Sequence, residues 1–186
     1  MINSSETSVD EFFMQEALQM AIRAADLGEI PVGAVIVKNN TVIARAHNRR
    51  ELDKDPTAHA ELLAIKEASQ KLGDWRLEGC TLYVNLEPCA MCSGALWLAR
   101  VDRVVFGAFD HKSGFLGSIF DISDIEKTKQ MNHHFQVLSG VLQEDSIFLL
   151  QTFFRKVRAK KKAQKAQKAQ KIRQTEQSEE NQNKET

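Results

Sequence analysis

The sequence predicts a layered α/β domain with some of its strands paired in parallel. Runs rich in β-formers are separated by segments with helical periodicity along most of the chain. A length of 186 residues suits one domain with a well-buried core. A hydrophobic content of 42% and a charged content of 27% are ordinary for a soluble globular protein.

Each element has a local reason. "SVDE" at Ser8–Glu11 reads as a capping box. Phe13, Ala17, Met20, Ala24 and Leu27 then recur at helical spacing, and Gly28 closes that helix. "VGAVIVKNNTVIARAHN" contains two β-rich runs around Asn39-Asn40, which predicts a hairpin. Pro56 and Thr57 open a helix that runs to about Lys71. "CTLYVNLE" reads as a buried strand, Pro88 as the start of a helix reaching about Arg100, and "RVVFGAFD" as a fourth strand. His111 to His134 is irregular, with Gly114 and Gly117, and "FQVLSGVL" is a fifth strand. From Glu144 a helix carries Ile147, Leu150, Phe154 and Val157 on one face. That face ends after Val157. "AKKKAQKAQKAQKIRQ" then repeats Ala, Gln and Lys, strong helix formers with nothing to pack. The expectation is a frayed helical arm followed by a disordered "TEQSEENQNKET".

Composition excludes several classes. "MINSSETSVDEFF" lacks the basic start and apolar run of a secretory signal. No apolar stretch approaches the roughly 20 residues that a bilayer span needs, so no membrane role is expected and the cytoplasm is the expected location. Three cysteines, Cys80, Cys89 and Cys92, argue against a disulfide framework and for metal binding or catalysis. The formal net charge of zero hides a segregation. Residues 1–154 hold 14 basic and 21 acidic groups, residues 155–173 hold 10 basic and no acidic groups, and residues 174–186 hold one Lys and four Glu. An acidic body with a basic arm points to an anionic partner for the arm, nucleic acid being the commonest.

The chemistry concentrates in "AHAELLAIKE" and "LEPCAMCSGA". With Pro88 in the first turn of a helix, Cys89 and Cys92 at i and i+3 share one face near its positive end, which favours thiolates. His59 supplies a third zinc-type ligand, leaving a fourth position open for water as in catalytic sites. Glu61 stands two residues from His59 and suits a proton carrier beside water activated at such a centre. Within a regular helix these two residues point apart. They share a site only at an irregular first turn, for which "DPT" upstream prepares, or if metal and substrate lie on adjacent sides. A structural zinc with Cys80, His133 or His134 as fourth ligand stays open at this point. Cys80 reads best as a small hydrophobe starting a buried strand.

His-x-Glu followed by Pro-Cys-x-x-Cys resembles the signature of zinc nucleobase deaminases. Within that superfamily the closer resemblance is to the bacterial tRNA-specific adenosine deaminases. The similarity runs through "IPVGAVIV", "HNRR", "DPTAHAE", "WRLEGCTLYVNLEPCAMCSGAL", "RVVFGAFDHKSGFLGS", "MNHH" and "FFRKVR", over about residues 8–158. The resemblance implies a three-layer α/β/α cytidine-deaminase-like domain over residues 1–158, with a central five-stranded mixed sheet. Residues 159–186 form a low-complexity tail, basic then acidic, outside that pattern. It further implies one Zn2+ per subunit on His59, Cys89 and Cys92, with Glu61 as general acid and base. Asn48 matches a residue contacting the substrate nucleoside, and Ile30, Pro31, Val32 and Gly33 match the pocket wall. Asp110, Asn132, Phe153 and Phe154 match positions that shape or line the RNA face, and Arg155 belongs to the same stretch. For Asn48 turn chemistry is an alternative, and for Phe153 and Phe154 a place in the core. Phe115 and Leu116 stand where the family has small residues. The implied activity is adenosine-to-inosine conversion at the wobble position of a tRNA anticodon loop, in a homodimer whose active sites use both chains. A deaminase of free bases or nucleotides, of guanine or cytidine type, and a non-catalytic zinc-stabilised RNA-binding module are the rival readings. The "FFRKVR" helix and basic arm count against the first and Glu61 against the second.

Overall fold

A computed structural model describes residues 4–182. The chain divides into two compact units, residues 1–150 and 151–186. The first unit is built on a five-stranded sheet. Its strands are β1 (Gly33–Lys38), β2 (Thr41–His47), β3 (Cys80–Leu86), β4 (Arg103–Ala108) and β5 (Gln136–Ser139), in the order β2-β1-β3-β4-β5. β1 is antiparallel to β2 and β3, whereas β3, β4 and β5 run parallel. The mixed sheet expected from the resemblance is therefore present.

Alternation along the strands creates two cores. Ala34 and Ile36, Leu82 and Val84, and Val104 and Phe106 face one way, onto Ala60, Ala64 and Ala68 of α3 (Ala60–Leu72) and Leu96 of α4 (Ala90–Leu98). Val35, Val37, Tyr83 and Val105 face the other way, onto Phe13, Met14, Ala17 and Leu18 of α1 (Ser4–Asp26). Leu149, near the start of α5 (Gln143–Gln182), packs on this second core. Helix, sheet and helix make three layers. A short α2 (Arg50–Asp53) precedes α3.

The β1–β2 turn has Asn39 at φ 51° and Asn40 at φ 55°. Two left-handed residues match the twist of a two-residue hairpin, and asparagine tolerates that region. At Gly33 the backbone of α1 lies against the strand, so a Cβ there would run into Ala17 O and Ala21 N.

Three local expectations need correction. α1 already starts at Ser4, so Ser8 lies inside the helix and does not cap it. Leu27 falls just past the end of α1 and is exposed, so the helix buries Met14, Leu18 and Ala21 along with Phe13, Ala17 and Ala24. Pro56 and Pro88 precede their helices: α3 begins at Ala60 with His59 as N-cap, and α4 at Ala90 with Cys89 as N-cap.

In the second unit, α5 continues as helix to Gln182, through residues expected to be frayed or disordered from Thr175 onward. The last four residues of that expected disordered stretch, 183–186, lie outside the described residues. Among the described residues no helix is long and apolar enough to cross a membrane.

Candidate active site

The site is assembled at the C-terminal ends of the parallel strands, where α4 leaves β3 and the N-terminus of α3 comes alongside. This is where open α/β sheets place their ligands. His59 is extended at φ −78° and ψ 149°, and α3 begins only with the next residue. That irregular entry lets His59 and Glu61 serve one site despite their i, i+2 spacing. Cys89 is likewise extended, at φ −75° and ψ 175°, and Cys92 follows in the first turn of α4.

His59 Nδ1 lies 3.8 Å from Cys89 Sγ and 3.6 Å from Cys92 Sγ, and the two sulfurs are 3.7 Å apart. Tetrahedral zinc with nitrogen at about 2.0–2.1 Å and sulfur at about 2.3 Å separates its ligand atoms by about 3.6–3.8 Å. The donor set and its spacing thus fit zinc. Cys80 and His133 stand apart from this cluster. Cys80 is buried at the start of β3, and His133 Nε2 is 2.8 Å from Val101 O.

Taken as bare side chains, the two thiols shift in opposite directions. The Cys89 thiol is pulled down to about 4, first by its hydrogen bond with Cys92 and further by His59. Cys92 is pushed up by that same bond and then by burial. His59 is pushed up, mainly by its contact with Cys89.

Glu61 is 4% exposed, and burial pushes its carboxyl above the usual carboxylate range. Its Oε2 is buried without a hydrogen-bond partner. Buried polar atoms are rarely left unsatisfied, and a catalytic role is one explanation for an exception.

These groups open into a pocket of about 160 Å³. Ile30, Val32, Asn48, His59, Glu61, Cys89 and Asp110 all line it, together with Arg50, Leu86, Glu87 and Ser113. Pro31 and Gly33, expected in the pocket wall, are buried and do not line it. Asn85 holds them from the sheet, donating through Nδ2 to Pro31 O at 2.9 Å and accepting from Gly33 N at 2.9 Å. Asn132 is exposed outside the pocket, where its Oδ1 accepts from Arg100 at 2.8 Å. Phe153, Phe154 and Arg155 belong to the second unit. The two rings meet edge-on at 5.5 Å, and Arg155 donates to Thr152 Oγ1 at 3.3 Å.

Two buried carboxylates escaped the sequence reading. Glu29, 1% exposed, accepts from Asn48 Nδ2 at 2.9 Å and from Leu52 N at 2.7 Å, which fixes the Asn48 amide at the pocket wall. Glu87, 2% exposed, accepts from the backbone of Asp110, Leu116 and Ser118 and from the Ser118 hydroxyl. It thereby ties down the loop carrying Asp110 and Ser113, whose Gly114 bridges to Cys89. An acid closing the buried strand "CTLYVNLE" was the available signal for Glu87.

Comparison with known proteins agrees with this geometry. The pattern of the cytidine and deoxycytidylate deaminase zinc-binding region matches residues 7–108. The tRNA-specific adenosine deaminase of Bacillus subtilis (strain 168) is 53% identical over 154 residues, which are 83% of this chain and 94% of that protein. This chain belongs to the bacterial tRNA-specific adenosine deaminase family. A solved structure from work on A-to-I editing by tRNA:A34 deaminases at the wobble position of transfer RNA superposes with a TM-score of 0.70. It shares 40% identity and covers 75% of this chain and 99% of its own. A guanine deaminase from Bacillus subtilis shares 41% identity over 63% of this chain and 74% of its own, with a TM-score of 0.52. The tRNA-specific adenosine deaminase family thus shares this scaffold with enzymes named for a free base.

Proposed function

We propose that this protein converts adenosine to inosine at the wobble position of a tRNA anticodon, consuming water and releasing ammonia. The observation that carries the reading is the buried, unpartnered Glu61 carboxyl oxygen in the same pocket as three atoms spaced for zinc. His59, Cys89 and Cys92 would hold the metal, which when bound supplies Lewis-acid activation of water, lowering its pKa towards about 7.

The remaining work falls to side chains. Glu61 takes a proton from the water as its oxygen bonds to the purine carbon bearing the amino group and delivers that proton to the ring nitrogen; it then carries the proton of the new hydroxyl to the amino group, which leaves as ammonia as the carbon–nitrogen bond breaks. Its burial suits this exchange, because a carboxyl that readily accepts a proton serves as both base and acid. Asn48, fixed by Glu29, offers an amide that cannot swing away, suited to orienting the nucleoside. Ile30 and Val32 supply apolar contact for the base, and Asn85 fixes the intervening backbone by its bonds to Pro31 O and Gly33 N. Asp110, at the rim, accepts from Lys112 N at 3.0 Å and Ser113 N at 3.3 Å and shapes the loop there.

An anticodon loop suits a pocket of this kind, since its bases are cheaper to splay out than those of a duplex. Asn132, Phe153, Phe154 and Arg155 are the further RNA contacts in this reading: an exposed amide, a pair of rings able to stack, and a guanidinium. The reading extends to a homodimer. Exposed Met91 and Leu98 on α4, and Ile119 and Phe120 in the loop between β4 and β5, supply apolar surface for a second copy. A tRNA substrate supports a cytoplasmic location.

The test is to incubate purified protein with total tRNA, digest it to nucleosides, and measure inosine, with guanine and cytidine assayed in parallel. New inosine in tRNA is expected. Ammonia from guanine or cytidine with no inosine in tRNA overturns the reading in favour of a free-base or nucleoside deaminase.

A further inference from the structure

Beyond Arg155, the basic run of α5 has no role in the function proposed above. Residues 155–173 carry ten Lys and Arg and no acid, all within α5. Lys160, Lys161, Lys162, Lys165 and Lys168 are exposed. So are the intervening residues from Ala159 to Gln164, and Gln167.

The three-residue period decides what such a helix can do. An α-helix turns 100° per residue, so each repeat falls 60° behind the last while rising about 4.5 Å. Lys162, Lys165 and Lys168 therefore wind around the axis and do not form a stripe on one side. Any apolar positions in the repeat wind with them. A helix of this pattern has no apolar face for a core, no heptad seam for a coiled coil, and no hydrophobic side to enter a membrane interface. Lysines three apart are also neighbours on the helix surface and repel one another. No acid among residues 155–173 relieves this, so only solvent counterions screen it, and a polyanionic partner that displaced them would relieve it favourably. A partner with closely spaced negative charges along a backbone fits best, and backbone phosphates of nucleic acid provide that. Residues 1–154 hold an excess of acid, so a polyanion gains nothing from the net charge of that part of the chain.

We propose that residues 155–173 form a phosphate-binding arm for the sugar–phosphate backbone of the substrate tRNA, adding affinity without reading sequence. This rests on the tRNA reading above. The 154 residues aligned with the Bacillus relative are 94% of that protein but 83% of this chain, so this chain is the longer. An added arm is consistent with that difference.

The test uses the full chain with Lys160→Gln, Lys161→Gln, Lys162→Gln, Lys165→Gln and Lys168→Gln combined. Glutamine keeps nearly the helix propensity of lysine, so only charge is removed. Affinity for tRNA is measured at several salt concentrations for parent and variant, alongside anionic phospholipid vesicles. Inosine formation is measured on tRNA and on an isolated anticodon stem-loop. The expected result is weaker tRNA binding and a salt slope flatter by roughly 0.7–0.9 for each phosphate that the variant no longer neutralises. The rate at saturating stem-loop should be unchanged. Identical affinity and slope overturn the proposal, as does charge-dependent binding to vesicles without a change on tRNA. If neither protein makes inosine but the parent alone binds tRNA steeply with salt, the arm stands and the deaminase reading falls.

Discussion

Replacing Glu87 by Gln tests whether one buried carboxylate holds the active-site loop. Glu87 Oε1 accepts from Leu116 N at 2.9 Å and Ser118 N at 3.0 Å, and Oε2 accepts from Asp110 N at 2.9 Å and from the Ser118 hydroxyl. Glutamine has almost the same shape but only one acceptor oxygen. Three of the four donors are backbone N–H groups that cannot turn around. The least costly arrangement keeps the oxygen on Leu116 and Ser118, turns the hydroxyl, and leaves Asp110 N facing an NH2 group. One buried donor left unsatisfied costs about 1–3 kcal/mol, and the two surviving bonds each weaken by about 1 kcal/mol as the charge is removed. Relief of the carboxylate's own desolvation offsets part of this. The expected net destabilisation is about 2–4 kcal/mol, which lowers Tm by roughly 4–16 °C for a unit of this size. Urea denaturation gives the free energy and calorimetry the midpoint. Zinc content should not change, because none of His59, Cys89 and Cys92 is a hydrogen-bond partner of Glu87, while KM for tRNA should rise as Asp110 and Ser113 lose their anchor. A stability within about 0.5 kcal/mol of the parent would refute the argument.

Three further outcomes are expected. Cys89→Ala should lose zinc, and elemental analysis showing one zinc per chain in that variant would remove Cys89 from the ligand set. Glu61→Ala should fold, retain zinc and bind tRNA, yet form inosine at least ~10²–10⁴-fold more slowly; near-parent rates would assign the proton to another group. Gly33→Ala should destabilise the fold by about 1–3 kcal/mol, since its Cβ would press on the backbone of α1 at Ala17 and Ala21. An unchanged urea midpoint for Gly33→Ala would show that α1 yields there freely.

Features that depend on nearby residues were legible in the chain itself. Alternation in "GAVIVK" and "TLYVNL" sets which side chains face α1 and which face α3 and α4, because strand periodicity is a local property. The Asn39-Asn40 turn follows from the two residues themselves. The zinc-type ligands and Glu61 were legible because their chemistry is rare and their spacing short within each motif. Local reasoning failed where helix ends depend on what surrounds them. "SVDE" has the letters of a cap, but α1 continues one turn upstream to Ser4. Folding put His59 and Cys89 at N-cap positions with extended backbones, which brings them within 3.8 Å of each other. It also joined Glu29 to Asn48 and Glu87 to Ser118, across 19 and 31 residues of chain. An acid in a sequence reads as solvent-exposed by default. Its burial is set by donors that folding brings from distant segments, and those donors make a buried carboxylate tolerable.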